Sequence, residues 1–512
     1  MRNAVGRELP NAIAGYGAVR PYAGAALRAG AVTRAGGALT CAGPGRSKVL
    51  PALRAAIDAC ELRSGATVSF HHHLRNGDQV LNLVVDALAE AGIGDLRIAS
   101  SSLFPVHAPL IEHIRSGVVA GLHATYIAGP LGEAISRGVL ARPAVMTTHG
   151  GRARAIESGD VPIDVAFVAA PTADVYGNIN GVGGPAACGT LGYAHVDAAC
   201  ARRVVAVTDH LVSYPSCPID ISQDHVDFVV PVPSIGDPGG IESGAMRPLT
   251  DPVGLQVARM AAMVVAASGL LVPGFSFQTG AGGISLAAAG YLAETMRARG
   301  IRGSFASGGI TGLIVDMLET GLFDTLFDVQ CFDLRAVDSY RRNPRHQAMS
   351  ASMYANPHNR GAVVNQLDAV ILGAAEIDLD FNVNVTTGSH GLILGGSGGH
   401  ADTAAGATLT VVTTRLTGGG YAKVVSKVGT VTTPGETVDV LVTEAGVAVN
   451  PARPELRERL RDEGLPLVSI EQMRDQAAAG ASRPARPAGA GRPVAVVEYR
   501  DGTVIDVVRS VD

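Results

Sequence analysis

Short β-branched runs alternate with longer apolar-periodic segments along most of the chain, and this alternation limits the possible folds more than any other feature. "TVSFHH" (67–72) leads into "QVLNLVVDALAEAGI" (79–93), and "DLRIASSS" (95–102) into "PLIEHIRSG" (109–117). "PIDVAFVAAP" and "ARRVVAVTDH" continue the series. Strand-sized runs separated by helix-sized ones signal βαβ units, with parallel strands in a sheet covered by helices. A Pro/Gly-rich passage, "VPVPSIGDPGGIESGAMRPLTDP" (230–252), interrupts the pattern and reads as an inter-domain connection. Alternation resumes with "LLVPGFSFQTGAGGISLAAAGYLAETMRARGI" and "GSFASGGITGLIVDMLETGLFDTL". The expected fold class is α/β, the second half repeating the architecture of the first.

At 512 residues the chain exceeds the usual single-domain range, which runs to about 250 residues. The expected organisation is an N-terminal extension (1–44), a first α/β domain (45–235), a second (236–475) and a tail (476–512). Within the tail, "QAAAGASRPARPAGAGRP" (476–493) has linker composition. "VAVVEYRDGTVIDVVRS" alternates around an Asp-Gly turn and predicts a β-hairpin appendage. The Pro- and Gly-interrupted N-terminus carries no secretory h-region and reads as an arm wrapping a partner or the domain surface.

Composition removes several functions. Net charge is −5, aromatics are 4% and Trp is absent, so neither a basic footprint nor a stacking platform for nucleic acid is present. The stretch "MAAMVVAASGLLVPGF" (260–275) is too short for a bilayer, which needs about 20 residues. It reads as a buried helix running into a strand. The six cysteines (41, 60, 188, 200, 217, 331) form no CxxC pair and suit reduced thiols in a cytoplasm.

Three local features carry candidate chemistry. "FHHHLRNGD" (70–78) ends a predicted strand, and strand parity puts His71 and His73 on one face and His72 on the other. With no Cys pair or HxxxH helix to complete a ligand set, no metal is expected. His71, His73 and Arg75 read instead as anion-facing groups at one strand end, and Asp78 as the cap of the next helix. "QTGAGGISLA" (278–287) joins an apolar strand to a helix, where backbone N–H groups face outward at the positive end of a dipole. It is neither a dinucleotide fingerprint, since Ser285 stands where a third glycine belongs, nor a P-loop. "GGSGGHADTAAGA" (395–407) offers a glycine cradle with His400 and Asp402 as donors and acceptors at its rim; the alternative is a surface loop in which Asp402 serves a helix cap. The amides of Gly282, Gly283, Gly398 and Gly399 are the candidate oxyanion donors. Glu376, in "AAEIDLD", is the acid nearest the second loop, a brace for it or a catalytic group.

"FHHHLRNGDQVLN", "HGGRARAIESGDVPIDVAFVAAPTADVYGNINGV", "QTGAGGISLAAAGYLAETM", "FDVQCFDLRAVDSYRRNPRHQAMSASMYANP", "GAAEIDLDFNVNV" and "VEYRDGTVIDVV" together resemble the citrate lyase alpha subunit family. The resemblance spans nearly the whole chain beyond about residue 45. It implies two tandem coenzyme A transferase-like (NagB/RpiA-like) α/β domains and a citrate CoA-transferase. In that reaction, citrate displaces acetate from an acetyl-thioester on an acyl-carrier subunit, and a beta subunit cleaves the citryl-thioester. It implies no tightly bound cofactor, but action on a dephospho-CoA-type prosthetic group of the carrier (gamma) subunit, with acetyl-CoA as a surrogate. It further implies a cytoplasmic multimeric complex. His71, His73, Arg75 and His400 would face citrate, while Arg342 and Arg345, in "YRRNPRHQ", would pair with phosphates of the arm. Related transferases use a glutamate nucleophile that aligns with Ser304 here, which favours direct carboxylate attack. Two alternatives stay open: a general acyl-CoA transferase or hydrolase of the same fold, and a non-catalytic citrate-binding scaffold.

Overall fold

The computed structural model describes residues 1–26, 36, 45–242, 249–280, 282–485 and 491–511. Parts of the expected arm (27–44), connection (243–248) and linker (486–490) lie outside the described residues. Among the described residues the main sheet of the first half is built by seven strands: β1 (Thr67–Phe70), β2 (Leu96–Ser100), β3 (Val119–Ala124), β4 (Ala144–Met146), β5 (Val165–Ala169), β6 (Arg203–Thr208) and β7 (Phe228–Pro231). The main sheet of the second half has β8 (Ser276–Thr279), β9 (Gly303–Ile310), β10 (Phe323–Cys331), β11 (His346–Ala348), β12 (Ala369–Gly373), β13 (Leu409–Thr413), β14 (Val440–Thr443) and β15 (Gly446–Val449). The tail adds β16 (Pro493–Glu498) and β17 (Val504–Arg509).

The spatial orders are β7-β6-β5-β1-β2-β3-β4-β16-β17 and β15-β14-β13-β12-β8-β9-β10-β11. Apart from β15 and the tail hairpin, one half repeats the other strand for strand, and those repeated strands pair in parallel. Strands such as "VAFVA" (β5) are buried on both faces, so they read as continuous apolar runs rather than alternating ones. The repeat reaches side chains. Asp174 accepts from the amides of Tyr176 and Asn178, and Asp378 does the same for Asp380 and Asn382, closing equivalent turns after β5 and β12.

The tail corrects the expected appendage. β16 pairs in parallel with β4, Val496 opposite Val145, so the hairpin extends the first sheet rather than standing apart. The N-terminal arm packs against the hairpin: Asn3 donates to the Ile505 carbonyl at 2.8 Å, and the Tyr22 hydroxyl donates to Glu436 of the second half at 2.7 Å. The stretch 260–275 is a helix end and loop leading to β8, as its composition predicts. Among the described residues no helix is long and apolar enough to cross a membrane.

Candidate active site

In each sheet the strand order reverses beside the first strand, and loops after the carboxyl ends of strands at such a switch point form the natural crevice of an open α/β sheet. The carboxyl ends of both sheets contribute to one cleft of about 640 Å³. Loops after β1 to β4 bring His72, Arg75, Tyr126 and His149; the carboxyl ends of β8 to β12 and the loops after them bring Gly282, Gly309, Phe332 and Gly373. Tyr193, Tyr354 and the Gly396–His400 loop complete the walls. No Asp or Glu lines this cleft among the described residues.

Strand parity holds through the histidine run, but the face is the reverse of the one expected. The rings of His71 and His73 stack at 5.9 Å on the buried side, and His72 is the ring in the cleft. His71 Nε2 lies 3.1 Å from Asp197, which Arg152 holds by two bonds of 2.8 and 2.6 Å. His73 has no hydrogen-bond partner for either ring nitrogen among the described residues. His72 packs on Tyr193 at 4.7 Å, and His149 packs on the same tyrosine at 4.6 Å. The Ser101 hydroxyl accepts from the His72 amide and lies 2.6 Å from His72 Nδ1. Donating to Nδ1 leaves Nε2–H as a donor to the cleft. Burial first, then the neighbouring His149, pushes His72 well below its ordinary value. Burial and then Arg152 bring His149 down to about 3. Both rings are therefore neutral near pH 7.

Arg75 is the only cation lining the cleft among the described residues. Its guanidinium lies 4.6 Å from the Phe332 ring centroid and 5.2 Å from that of Phe104, one aromatic from each half of the chain. Its backbone φ of 51° is in the left-handed region, unusual for a residue with a Cβ and common at functional turns. Asp78, three residues on, accepts from the Val80 and Leu81 amides at 3.3 and 3.4 Å, as expected of a residue opening the helix α1 (Val80–Glu90).

The second glycine loop packs against the first half of the chain. Gly398 has φ 51°, donates its amide to the Thr125 carbonyl at 3.1 Å and accepts from the His149 amide at 2.8 Å. Its N–H is thus committed, and of the expected donor pair the Gly399 amide is the one without a partner among the described residues. A Cβ on Gly399 would come within 2.3 Å of the Tyr354 hydroxyl, so only glycine permits that approach. Gln278 donates to Tyr354 at 2.8 Å, leaving the phenol proton for the cleft. Asp402 does not cap its own helix. It accepts from Thr148 Oγ1 at 2.9 Å and the Gly150 amide at 2.8 Å, tying helix α2 (His149–Glu157) to the loop; burial raises its carboxyl to about 6.

Several expected residues lie elsewhere. His400 lines the cleft, yet its two ring nitrogens contact Thr433 Oγ1 at 2.7 Å and the Gly373 carbonyl at 2.9 Å, so its ring braces the loop. Glu376 is buried outside the cleft, accepting from the Gly429 amide and Asn384 at 3.0 Å each and from Ser389. Gly283 lines an adjoining pocket. Arg342 is exposed on a separate groove and paired with Asp338 at 2.8 Å, and Arg345 is exposed on the neighbouring turn. Ser304 sits at the amino end of β9, away from the cleft; Gly309 is the residue of that strand that lines it, and Ser307 donates to the cleft residue Gln278. Asp328, Cys331 and His346 gather within metal-ligand distance, fully buried, and bond to one another: Asp328 Oδ2 is 3.0 Å from both partners. The sequence reading missed Tyr126, His149, Tyr193, Gln278 and Tyr354. Of these, only His149 stood beside a local signal, the Thr-His-Gly-Gly start of a helix.

Residues 46–511 match the family model described as citrate lyase, alpha subunit. The chain is 50% identical over 464 residues to the citrate lyase alpha chains of Klebsiella pneumoniae and Escherichia coli, covering 91% of each partner in both pairs. A Streptococcus mutans structure described as an alpha subunit of citrate lyase in complex with citrate superimposes with a TM-score of 0.96 at 44% identity, over 100% of both chains. A Pseudomonas malonate decarboxylase hetero-tetramer, at 19% identity and a TM-score of 0.63 over 86% of this chain and 95% of that one, shares the fold.

Proposed function

The chain belongs to the citrate lyase alpha subunit family, and from that premise we propose that its cleft moves a carrier-bound thioester from acetate to citrate by direct carboxylate attack. One citrate carboxylate oxygen attacks the acetyl carbonyl and the carrier thiolate leaves, giving a mixed citric–acetic anhydride. The thiolate then attacks the citryl carbonyl, expelling acetate and leaving citryl-thioester for a beta subunit to cleave. The partners on this reading are the beta and gamma subunits of a multimeric complex, with citrate and acetate as the small molecules.

The observation that carries this reading is a cleft furnished with Arg75, neutral histidines and tyrosine hydroxyls but, among the described residues, with no lining carboxylate. A tricarboxylate entering it meets a cation and donors rather than repulsion, and no glutamate stands where a covalent acyl-enzyme would form. Arg75 pairs a citrate carboxylate and His72 Nε2–H donates to another, which fixes the attacking oxygen against the thioester. Gly399 N–H and Tyr354 O–H supply donors to the tetrahedral oxyanion.

The test is exchange by the purified chain between acetyl-CoA and labelled citrate, followed by mass spectrometry of the thioesters. Citryl-CoA with stoichiometric acetate is the expected product; acetate without citryl-CoA would reveal a hydrolase. Glu376→Gln separates brace from nucleophile. It is expected to lower stability by about 1–3 kcal/mol, the cost of disturbing a buried hydrogen-bonded acceptor, and to keep exchange within roughly tenfold, where loss of a nucleophile costs far more.

A further inference from the structure

A second, smaller pocket of about 250 Å³ adjoins the cleft, sharing Gly282 and Gly373 with it. One wall is the first turn of helix α3 (Gly283–Arg299), seventeen residues long and without a side-chain cap at its N-terminus. Its leading N–H groups face the pocket at the positive end of the dipole. The other wall is the loop after β13, which brings Arg415 and Lys423. No Asp or Glu lines this pocket among the described residues.

Two further observations suit an anionic ligand at this pocket. Ser285 is 1% exposed and lines the pocket, yet its hydroxyl has no hydrogen-bond partner among the described residues. A Cβ built on Gly280 or Gly282 would lie 3.8 or 3.9 Å from that hydroxyl, so it sits directly beneath the glycine loop. A buried hydroxyl left without a partner costs free energy that a bound acceptor would return. Lys423 is half-buried, and burial lowers its pKa against the opposing pull of Glu376, which stands outside the pocket lining. Arg415 is held by Asp251, which also caps the helix Pro252–Ala267.

We infer that this pocket is the phosphate subsite for the thioester arm, with the α3 amides, Ser285 and Lys423 as its ligands. The inference rests on the exchange reading and deepens it, because it gives the arm a fixed entry beside the acyl cleft. Uncapped helix amides plus a hydroxyl and a lysine suit phosphate oxygens. It also moves Gly283 from oxyanion donor to phosphate ligand and takes the phosphate role from exposed Arg342 and Arg345.

The test uses the full chain and calorimetric titration with CoA, pantetheine, inorganic pyrophosphate and citrate. Wild type is expected to bind CoA at least tenfold more tightly than pantetheine, and to bind pyrophosphate competitively with CoA. Ser285→Ala and Lys423→Gln should each bring CoA toward pantetheine affinity, and each should still bind citrate, which reports an intact fold. Equal wild-type affinity for CoA and pantetheine, or variants that keep the CoA preference, would overturn the subsite. Pyrophosphate that binds without displacing CoA would also overturn it, marking a free-phosphate site instead. The titration reads binding without turnover, so a failed exchange assay alongside a retained CoA preference would contradict the proposed reaction and leave the subsite standing.

Discussion

Arg75→Gln is expected to lower kcat/KM for citrate on the order of a hundredfold to a thousandfold, and Arg75→Lys to recover only part of that loss. The reasoning starts from the walls: Arg75 is the only cation lining the cleft among the described residues, while the neighbouring histidines are held neutral. Each charge-assisted hydrogen bond to a carboxylate contributes about 1.5–3 kcal/mol. A planar guanidinium can make two in parallel, which a lysine ammonium cannot reproduce. Its approach is fixed by Phe332 and Phe104 from opposite halves of the chain, so Gln also removes the element that aims the charge. Steady-state kinetics with citrate and acetyl-CoA varied separately check this. An unchanged citrate KM and kcat in Arg75→Gln would remove the cation from the account.

Arg152→Met is the change expected to cost most stability, about 3–5 kcal/mol, because it strands a buried charge. Arg152 and Asp197 are 2% and 0% exposed and joined by two hydrogen bonds, with His71 against the same carboxylate. Burial alone would raise the Asp197 pKa, but Arg152 and then His71 hold it well below the ordinary carboxylate range. The folded value is therefore depressed. Its stabilising contribution is present above the unfolded pKa, near 4, and is lost as pH falls below that toward the folded value. Urea titrations at pH 7 and pH 4 read both effects. Arg152→Met should shift the pH 7 midpoint strongly, and Arg152→Met combined with Asp197→Leu should recover much of it. A wild-type pH 7 midpoint in Arg152→Met would mean the pair contributes nothing.

The alternation of strand and helix was enough to read the α/β class and the repeated halves, because burial on both faces of a parallel sheet writes itself into continuous apolar runs such as "VAFVA". The tail hairpin was legible as a hairpin but not as the edge of the first sheet, since pairing with β4 joins residues about 350 apart and leaves no local trace. Parity placed His71 and His73 together, yet period two does not say which face is the core, and the buried Arg152–Asp197 pair that claims His71 is distant in sequence. Gly398 and Gly399 were visible because glycine is rare in such density. Tyr126, Tyr193 and Tyr354 were not, each being a single aromatic that only the fold brings into the cleft. Arg342 and Arg345 looked like phosphate ligands by charge alone, and the turn that carries them faces solvent.

The central claim, exchange without a covalent glutamyl enzyme, is tested most directly by a single turnover with citrate labelled with oxygen-18 in its carboxylates, acetyl-CoA and an excess of the chain. Direct attack carries one citrate oxygen through the anhydride into the departing acetate. The account therefore predicts acetate with one heavy oxygen and no label in the protein. Unlabelled acetate together with heavy oxygen in a protein carboxylate would show that an enzyme side chain takes the acyl group first, and would contradict it.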